Sequence, residues 1–349
     1  MKIIVTHTSP DMDAITSVWL IRKFLPNWND ASIRFVPAGE RLGRSSVFDS
    51  QLSDISQPVG QLTGKLKIDK LETEDRQQKT DNRNPIENVG EDEVIHVDTG
   101  LGLLDHHQTS SDKVCGASLT FDYVKRVESS KLKVKNSEKR EDRMDAVSRM
   151  VKVVVDIDHF TEVFRKDPLA DYHEFDLAAI LDGLKLQFPG QDDYYVAEVS
   201  KALDAILHEF ENRIWAEKEI KENGKKFETR FGKGIGFETV NDSVVKLSQK
   251  MGYVIAVRKD PRKGYVRVKA RPSRKLKVES GELKNKEKNS QFDDIDLTLA
   301  YEKLKKMDPQ ATWFLHIGKK MLLNGSVKNP KMRPTTLSLE EIIDVLKKV

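Results

Sequence analysis

The sequence predicts an α/β chain built on an N-terminal parallel sheet, followed by a helical middle and a smaller α+β C-terminal domain. Three observations predict it. Short hydrophobic strands alternate with an amphipathic helix at the N-terminus, an order that favours parallel pairing. Residues from about 137 to 222 carry helical spacing. Beyond about 232 the pattern turns to alternating strands with turn residues between them. A chain of 349 residues is too long for one core and fits roughly two domains. The boundary is placed at 222/223, where "KENGKKFETRFGKG" supplies glycine and charge, giving domains 1–222 and 223–349.

Taken in order, "KIIVT" reads as a buried strand over 2–6. Ala14, Val18, Ile21 and Leu25 then recur at helical spacing, widened by Ile15 and Trp19 and ended by Pro26. "ASIRFVPAG" is a second strand and "EVIHVDTG", 93–100, a third. Between them, 50–92 is polar and reads as a partly irregular insertion. "GASLTFDYVKRV" opens a helix. "SRMVKVVVDIDHF" reads as a buried helix or an apolar run with a turn after it, and "EFDLAAILDGLKLQF" and "VAEVSKALDAILHEFENRIWAEKEI" as amphipathic helices. "MGYVIAVRKDPRKGYVRVKARP" has the form of a β-hairpin around "DPRKG". The tract 276–291 is a charged loop, "QFDDIDLTLAYEKLKKM" a helix, "ATWFLHIG" a strand, and "LSLEEIIDVLKKV" a closing amphipathic helix.

Bulk properties exclude several classes. No run of about 18 apolar residues appears, so no membrane span is expected. The N-terminus lacks the apolar core of a signal peptide. A single cysteine, Cys115, excludes an intramolecular disulfide and fits a reducing, cytoplasmic setting. The net charge of +3 says little about partners; the local density of Lys and Arg over 258–276 says more.

The chemistry collects where strands end. His7, Asp11 and Asp13 follow the first strand, Asp98 ends the third, and Asp105, His106 and His107 lie in the loop beyond it. Ligands bind outside the carboxyl ends of strands in open parallel sheets. Alone, Asp11 reads as a helix N-cap, and neither "DMD" nor "HH" is specific; the conjunction carries the weight. Several carboxylates in one crevice repel one another, and divalent cations remove that penalty. Histidine nitrogen mixed with carboxylate oxygen suits Mn²⁺, Zn²⁺ or Fe²⁺ better than Ca²⁺. So many donors exceed the needs of one ion and imply two, an arrangement that catalyses displacement at phosphorus.

"HTSPDMDAITS", then "VDTG", then "DHHQ" resemble the signature of the DHH phosphoesterase superfamily. Within it, "VDTGLGLLDHHQ" and "CGASLTFDYV" are most similar to the melanocyte-proliferating-gene exonuclease family, long labelled metal-dependent protein hydrolases. That label has no support in a nucleophile motif or an HExxH site here. The resemblance implies a Rossmann-like DHH domain and a dinuclear site, with Mn²⁺ the expected ion and Mg²⁺ an alternative. It places His7 and Asp11 on one metal and Asp13 and His106 on the second, with Asp98 bridging. A water between the metals would be the nucleophile. His107 would face the substrate phosphate, and Asp105 would orient the loop or a histidine. A further ligand is expected at the end of a hydrophobic helix. Asp156 is favoured because Phe160 follows at the family's spacing, and Asp158 is the alternative.

The implied activity is that of a nuclease or phosphodiesterase, of 3′-to-5′ exonuclease type, acting on RNA or short oligonucleotides. A phosphatase of pyrophosphate or another small phosphorylated molecule is the alternative. A non-catalytic nucleotide or nucleic-acid sensor is a third reading. The family's Gly-rich "GGGH" stretch is missing. Its nearest counterpart, 314–334, offers His316, Lys319, Lys320 and Asn324 as substrate contacts, although "NGS" also reads as a tight turn. Strand alternation places Arg267, Lys269 and Arg271 on one face, able to follow a nucleic-acid backbone or simply to be solvated.

Overall fold

A computed structural model describes residues 1–43, 84–130, 137–272, 295–326 and 328–348. It is a mixed α/β chain that divides into two compact units, Met1–Glu211 and Asn212–Val349. The division falls inside one long helix.

The first unit is built on a four-stranded sheet. Strand β1 (Lys2–His7) lies between β2 (Ser32–Val36) and β4 (Asp92–His96), parallel to both, and β3 (Ile86–Val89) adds to β4 antiparallel. Ile4 faces Ile33 on one side and Ile95 on the other; Ile4 and Ile95 are fully buried. The insertion expected to be partly irregular over 50–92 holds a strand near its end. Ile86–Val89 forms a strand because Gly90, at φ 63°, lets the chain reverse into β4. The rest of that insertion up to residue 83 lies outside the described residues, as does the charged tract 276–291.

Helix α1 (Met12–Phe24) is capped by Asp11, whose Oδ1 accepts the Ala14 N–H at 2.9 Å. It is buried on nearly all sides, Thr16 and Ser17 included, rather than along one stripe. It packs with α2 (Gly116–Ser130) and α3 (Ser137–Asp158). Two short 3₁₀ turns, Thr161–Phe164 and Asp171–Phe175, lead to α4 (Leu177–Gln187) and α5 (Asp192–Glu222).

The second unit is a six-stranded sheet in the order β5-β6-β7-β8-β10-β9. Its strands are β5 (Lys225–Thr229), β6 (Gly232–Glu238), β7 (Ile255–Lys259), β8 (Val266–Ala270), β9 (Trp313–Leu315) and β10 (Met321–Asn324). Among its described strands only β6 and β7 pair in parallel, joined through α6 (Ser243–Lys250). Val257, Val268 and Leu322 from the sheet pack with Leu304 of α7 (Thr298–Met307) and Ile342 of α8 (Leu339–Leu346). Among the described residues no helix is long and apolar enough to cross a membrane.

Candidate metal centre

Sheet register assembles the site. Val5 lies opposite His96, and the Val97 N–H donates to the Val5 carbonyl at 2.9 Å, so the chain stays paired for one residue past β4. Asp98 therefore arrives beside His7, with its Oδ2 3.4 Å from His7 Nε2. There the chain turns sharply. Asp98 (φ 51°), Gly100 (φ 74°) and Leu101 (φ 50°) all take the left-handed conformation, and the Asp98 N–H donates to the Leu104 carbonyl. That tight loop returns the chain at Asp105, His106 and His107.

The side chains converge in overlapping groups: His7, Asp11 and Asp98; Asp13, His106 and Asp158; and Asp98, Asp105, His106 and His107. Within each group, one ligand atom per residue lies within 4.8 Å of the others. His106 Nδ1 is 3.3 Å from Asp98 Oδ1 and 3.5 Å from Asp13 Oδ2, and its Nε2 is 3.3 Å from Asp158 Oδ2. Asp13 is held in place by helix α2, whose first amides, Gly116 and Ala117, both donate to it at 2.6 Å. Gly116 is required for that approach. A Cβ there would lie 2.9 Å from Asp98 Cβ and 3.0 Å from Asp13 Oδ2.

Electrostatics follow from this crowding. Burial is the largest influence on His7 and pulls its imidazole down, yet Asp98, the Thr8 carbonyl and Asp11 together raise it to about 9. His106 also rises to about 9, chiefly through the adjacent Asp98, against burial. Burial pushes Asp98 up, but the His106 and His7 imidazoles hold it down at about 2. Asp13 stands well above the usual carboxylate range, through burial first and the charge of Asp98 second. Asp158 is also raised, mainly by burial. Burial also pushes the neighbouring Cys115 thiol up. Carboxylates pushed up by burial and by one another, beside imidazoles pushed up by those same carboxylates, mark an acidic cluster whose repulsion a cation would relieve.

The donor set fits a divalent cation on a second ground. Asp98 Oδ1 and His106 Nδ1 are both buried and face one another at 3.3 Å outside good hydrogen-bond geometry, so the contact between them satisfies neither fully. Buried polar atoms left in that condition are costly unless something else satisfies them.

The structure brings together His7, Asp11, Asp13, Asp98, His106 and, as the further acidic residue, Asp158. The preference for Asp156 is corrected: it joins none of these groups. Two residues apart on a helix point to opposite sides, so only one could reach His106. The Phe160 spacing misled, since that ring is 72% exposed. Asp105 is a positioning residue. It accepts the Leu101 and His107 N–H groups at 2.7 and 3.0 Å, and the His107 Nδ1–H at 2.6 Å. His107 stacks on His106, centroids 4.4 Å apart, and is exposed.

Three contributions had not been singled out from the sequence. Gly116 stood within a motif without a role. His159, 3.7 Å from Asp158, was visible only as the histidine in "DIDHF". Arg41 had no signal at all; it donates to the Gly100 carbonyl at 2.7 Å and pairs with Glu87, bracing the loop that carries Asp98. Thr99 adds a hydrogen bond to the Glu40 carbonyl. Beside His106 opens a cavity of about 720 Å³, walled by Leu101, Leu103, Val114 and Leu119 and edged by Asn84, Glu87 and Gln108.

In the second unit, β8 alternates as expected: Val266, Val268 and Ala270 are buried, while Arg267 is half-buried and Lys269 exposed. Arg267 pairs with Asp242, which Arg258 also holds at 2.6 Å. Arg271 lies just past the strand, its N–H on the Val254 carbonyl. His316 and Lys319 shape the β9–β10 turn, and Lys319 Nζ meets Asp296 at 2.9 Å. Lys320 Nζ donates to the Ile295 carbonyl at 2.5 Å. The assignment of Asn324 to substrate is corrected. It is fully buried, donates to the Thr312 and Arg333 carbonyls and accepts the Thr335 N–H, so its amide is committed to structure. No protein-family model and no curated protein matches this chain.

Proposed function

We propose that the chain is a dinuclear metal-dependent phosphohydrolase of the DHH type that cleaves phosphodiesters in RNA or short oligonucleotides. One observation carries this reading. Asp98 offers Oδ2 towards His7 and Oδ1 towards His106, at 3.4 and 3.3 Å, so a single buried carboxylate lies between two sets of donors. His7 and Asp11 would hold one ion, Asp13, His106 and Asp158 the other, and Asp98 both. Mn²⁺ is the ion we assign, with Mg²⁺ a weaker fit to imidazole. When bound, the ions would neutralise the clustered carboxylates and make water a competent nucleophile near neutral pH.

The remaining work falls to the chain. Asp105 fixes the His107 ring through Nδ1, which leaves Nε2 to donate to a phosphoryl oxygen when the ring is protonated. The cavity beside His106 has the size of a small-molecule site. Among the described residues its lining holds no lysine or arginine, which supports an organic group there rather than a second phosphate. That favours an oligonucleotide over pyrophosphate.

The test is hydrolysis of single-stranded RNA, a dinucleotide, a cyclic dinucleotide and pyrophosphate by metal-stripped protein, with and without Mn²⁺. Wild type is compared with an Asp98→Ala/His106→Ala variant. Mn²⁺-dependent cleavage of RNA or dinucleotide, lost in the variant, is the expected result. Turnover of pyrophosphate alone would replace the reading with a small-molecule phosphatase. Binding without turnover of any substrate would leave a sensor.

A further inference from the structure

The cavity beside His106 is built from two kinds of surface. Leu103, Val114 and Leu119 are half-buried in its lining, beside the more exposed Leu101. Leu119 belongs to α2, and Leu101 and Leu103 to the tight loop that runs from Asp98 to His106, so cavity and metal cluster share one loop. A volume of about 720 Å³ falls within the roughly 300–1,000 Å³ of small-molecule sites, which combine an apolar lining with a few placed polar groups.

The polar groups at its edge narrow the occupant. Gln108 Nε2 donates to the Gly102 carbonyl at 2.8 Å, which orients the amide and leaves Oε1 to accept. Glu87 meets Arg41 through Oε1, which leaves Oε2 to accept. Asn84 works the other way. Its Oδ1 takes the Ile86 N–H at 3.2 Å and the Tyr123 hydroxyl at 3.4 Å, and its own N–H pair is left to donate. The Thr109 hydroxyl accepts the Ser111 N–H at 3.2 Å and can also donate. Asp105 is already engaged by the Leu101 and His107 groups that it positions. Among the described residues of the lining, the edge therefore offers acceptors from Gln108 and Glu87 and donors from Asn84 and Thr109.

A flat ring with an amine on its edge answers this pattern. Its faces rest on leucine and valine, its amine N–H groups meet the acceptors, and a neighbouring ring nitrogen meets the Asn84 amide. Adenine and cytosine both set an amine beside a ring nitrogen, and glutamine and glutamate are the side chains that read such amines. Uracil would turn a carbonyl oxygen towards the oxygens of Glu87 and Gln108, leaving all of them unpaired. We propose that the cavity is a nucleobase subsite selective for an exocyclic amine, read by Gln108 and Glu87. It rests on the phosphodiesterase reading for the source of the base: His106 belongs to both the cavity and the metal cluster, so a nucleotide with its phosphate on the cluster has its base within reach of the cavity.

Saturation-transfer NMR titration of the full chain in chelator, with adenosine, cytidine, uridine and ribose, tests the proposal. Adenosine and cytidine are expected to bind at least about tenfold more tightly than uridine, and ribose not at all. Leu119→Trp, which fills the cavity, should abolish adenosine binding. Gln108→Leu, at an exposed position, removes one acceptor and should shrink the gap between adenosine and uridine. Circular dichroism checks that both variants keep their fold. Equal binding of the three nucleosides, binding of none, adenosine binding that survives in a folded Leu119→Trp, or a gap that Gln108→Leu leaves unchanged overturns the proposal. The measurement needs neither ion nor turnover. A chain that selects adenosine but cleaves no RNA keeps the subsite and loses the nuclease reading, and a chain that cleaves RNA with no preference among nucleosides does the reverse.

Discussion

Asp98 concentrates the local costs of the site. It is a non-glycine residue at φ 51°, a conformation worth about 1–3 kcal/mol of strain, and it is 2% exposed. Gly116 is what lets the chain bear this, because any side chain there would press on Asp98 and Asp13 together. Neither can yield: Asp13 is pinned by two amides and Asp98 by its turn. Gly116→Ala is expected to weaken Mn²⁺ binding by about 10–100-fold, the range seen when groups that orient ligands are disturbed. Calorimetric titration reads the affinity, and an unchanged helical spectrum excludes unfolding. The histidines give a pH signature. His7 and His106 stand at about 9 against an ordinary 6.5. Their contribution to stability is complete below about 6.5 and is lost as pH rises towards 9. Asp13 and Asp158, raised from 3.8, likewise lose stabilising power as pH rises above that value. Asp98, held at about 2, works the other way, stabilising above 3.8 and failing only as pH falls towards 2. The metal-stripped chain should therefore melt lower at about pH 8.5 than at about pH 6. Mn²⁺ affinity should rise over the same interval, since ligation needs neutral imidazole. Melting curves in chelator and in Mn²⁺ check both slopes.

At the scale of elements, the two ends of the chain differ in what holds them. Helix α8 is short, and burial of Leu339, Ile342, Ile343 and Leu346 depends on its starting at the right residue. A full capping box sets that start: the Glu341 N–H donates to Ser338 Oγ at 3.1 Å, and the Ser338 N–H donates back to Glu341 at 2.7 Å. Ser338→Ala should cost about 1 kcal/mol, read as a lower urea midpoint, with Mn²⁺ titration unchanged. The helix was legible in the amphipathic pattern of "LSLEEIIDVLKKV", just as β1, α1 and β2 were legible in their hydrophobic spacing. Other elements were not. β6, "GKGIGFE", carries three glycines and was not singled out as a strand, yet Gly234 and Gly236 leave room for Phe227 and Ile343 to pack against it. β5 is masked by its lysines, and α6 by its brevity. In the site, the strand-end residues could be read because the rule for parallel sheets is topological. The choice between Asp156 and Asp158 could not be, because it depends on the rotation of α3 about its axis, which no local pattern reports. Arg41 was hidden for a similar reason: its partner, Gly100, is fixed by tertiary pairing alone.

At the scale of the molecule, two units with separate cores should not unfold as one. Phe227, Val257, Leu304 and Ile342 close a core within the second unit, and the metal cluster lies wholly within the first. A ligand that binds only the folded form stabilises it in proportion to the logarithm of its concentration, by about 2.7 kcal/mol at a hundredfold excess over Kd. For a unit the size of the first, that is a rise of roughly 5–10 °C. Scanning calorimetry should therefore show two transitions, of which Mn²⁺ at such an excess moves one and leaves the other in place. Ca²⁺ should move it less, because imidazole is a poor ligand for a hard cation. Asp98→Ala should abolish the shift, and Ser338→Ala should lower the other transition without touching the Mn²⁺ response. A shift of both transitions would mean that the ion reports on the whole chain rather than on one unit. A shift of neither would remove the metal from the first unit, and with it the reason for gathering four aspartates and two histidines at the end of one sheet.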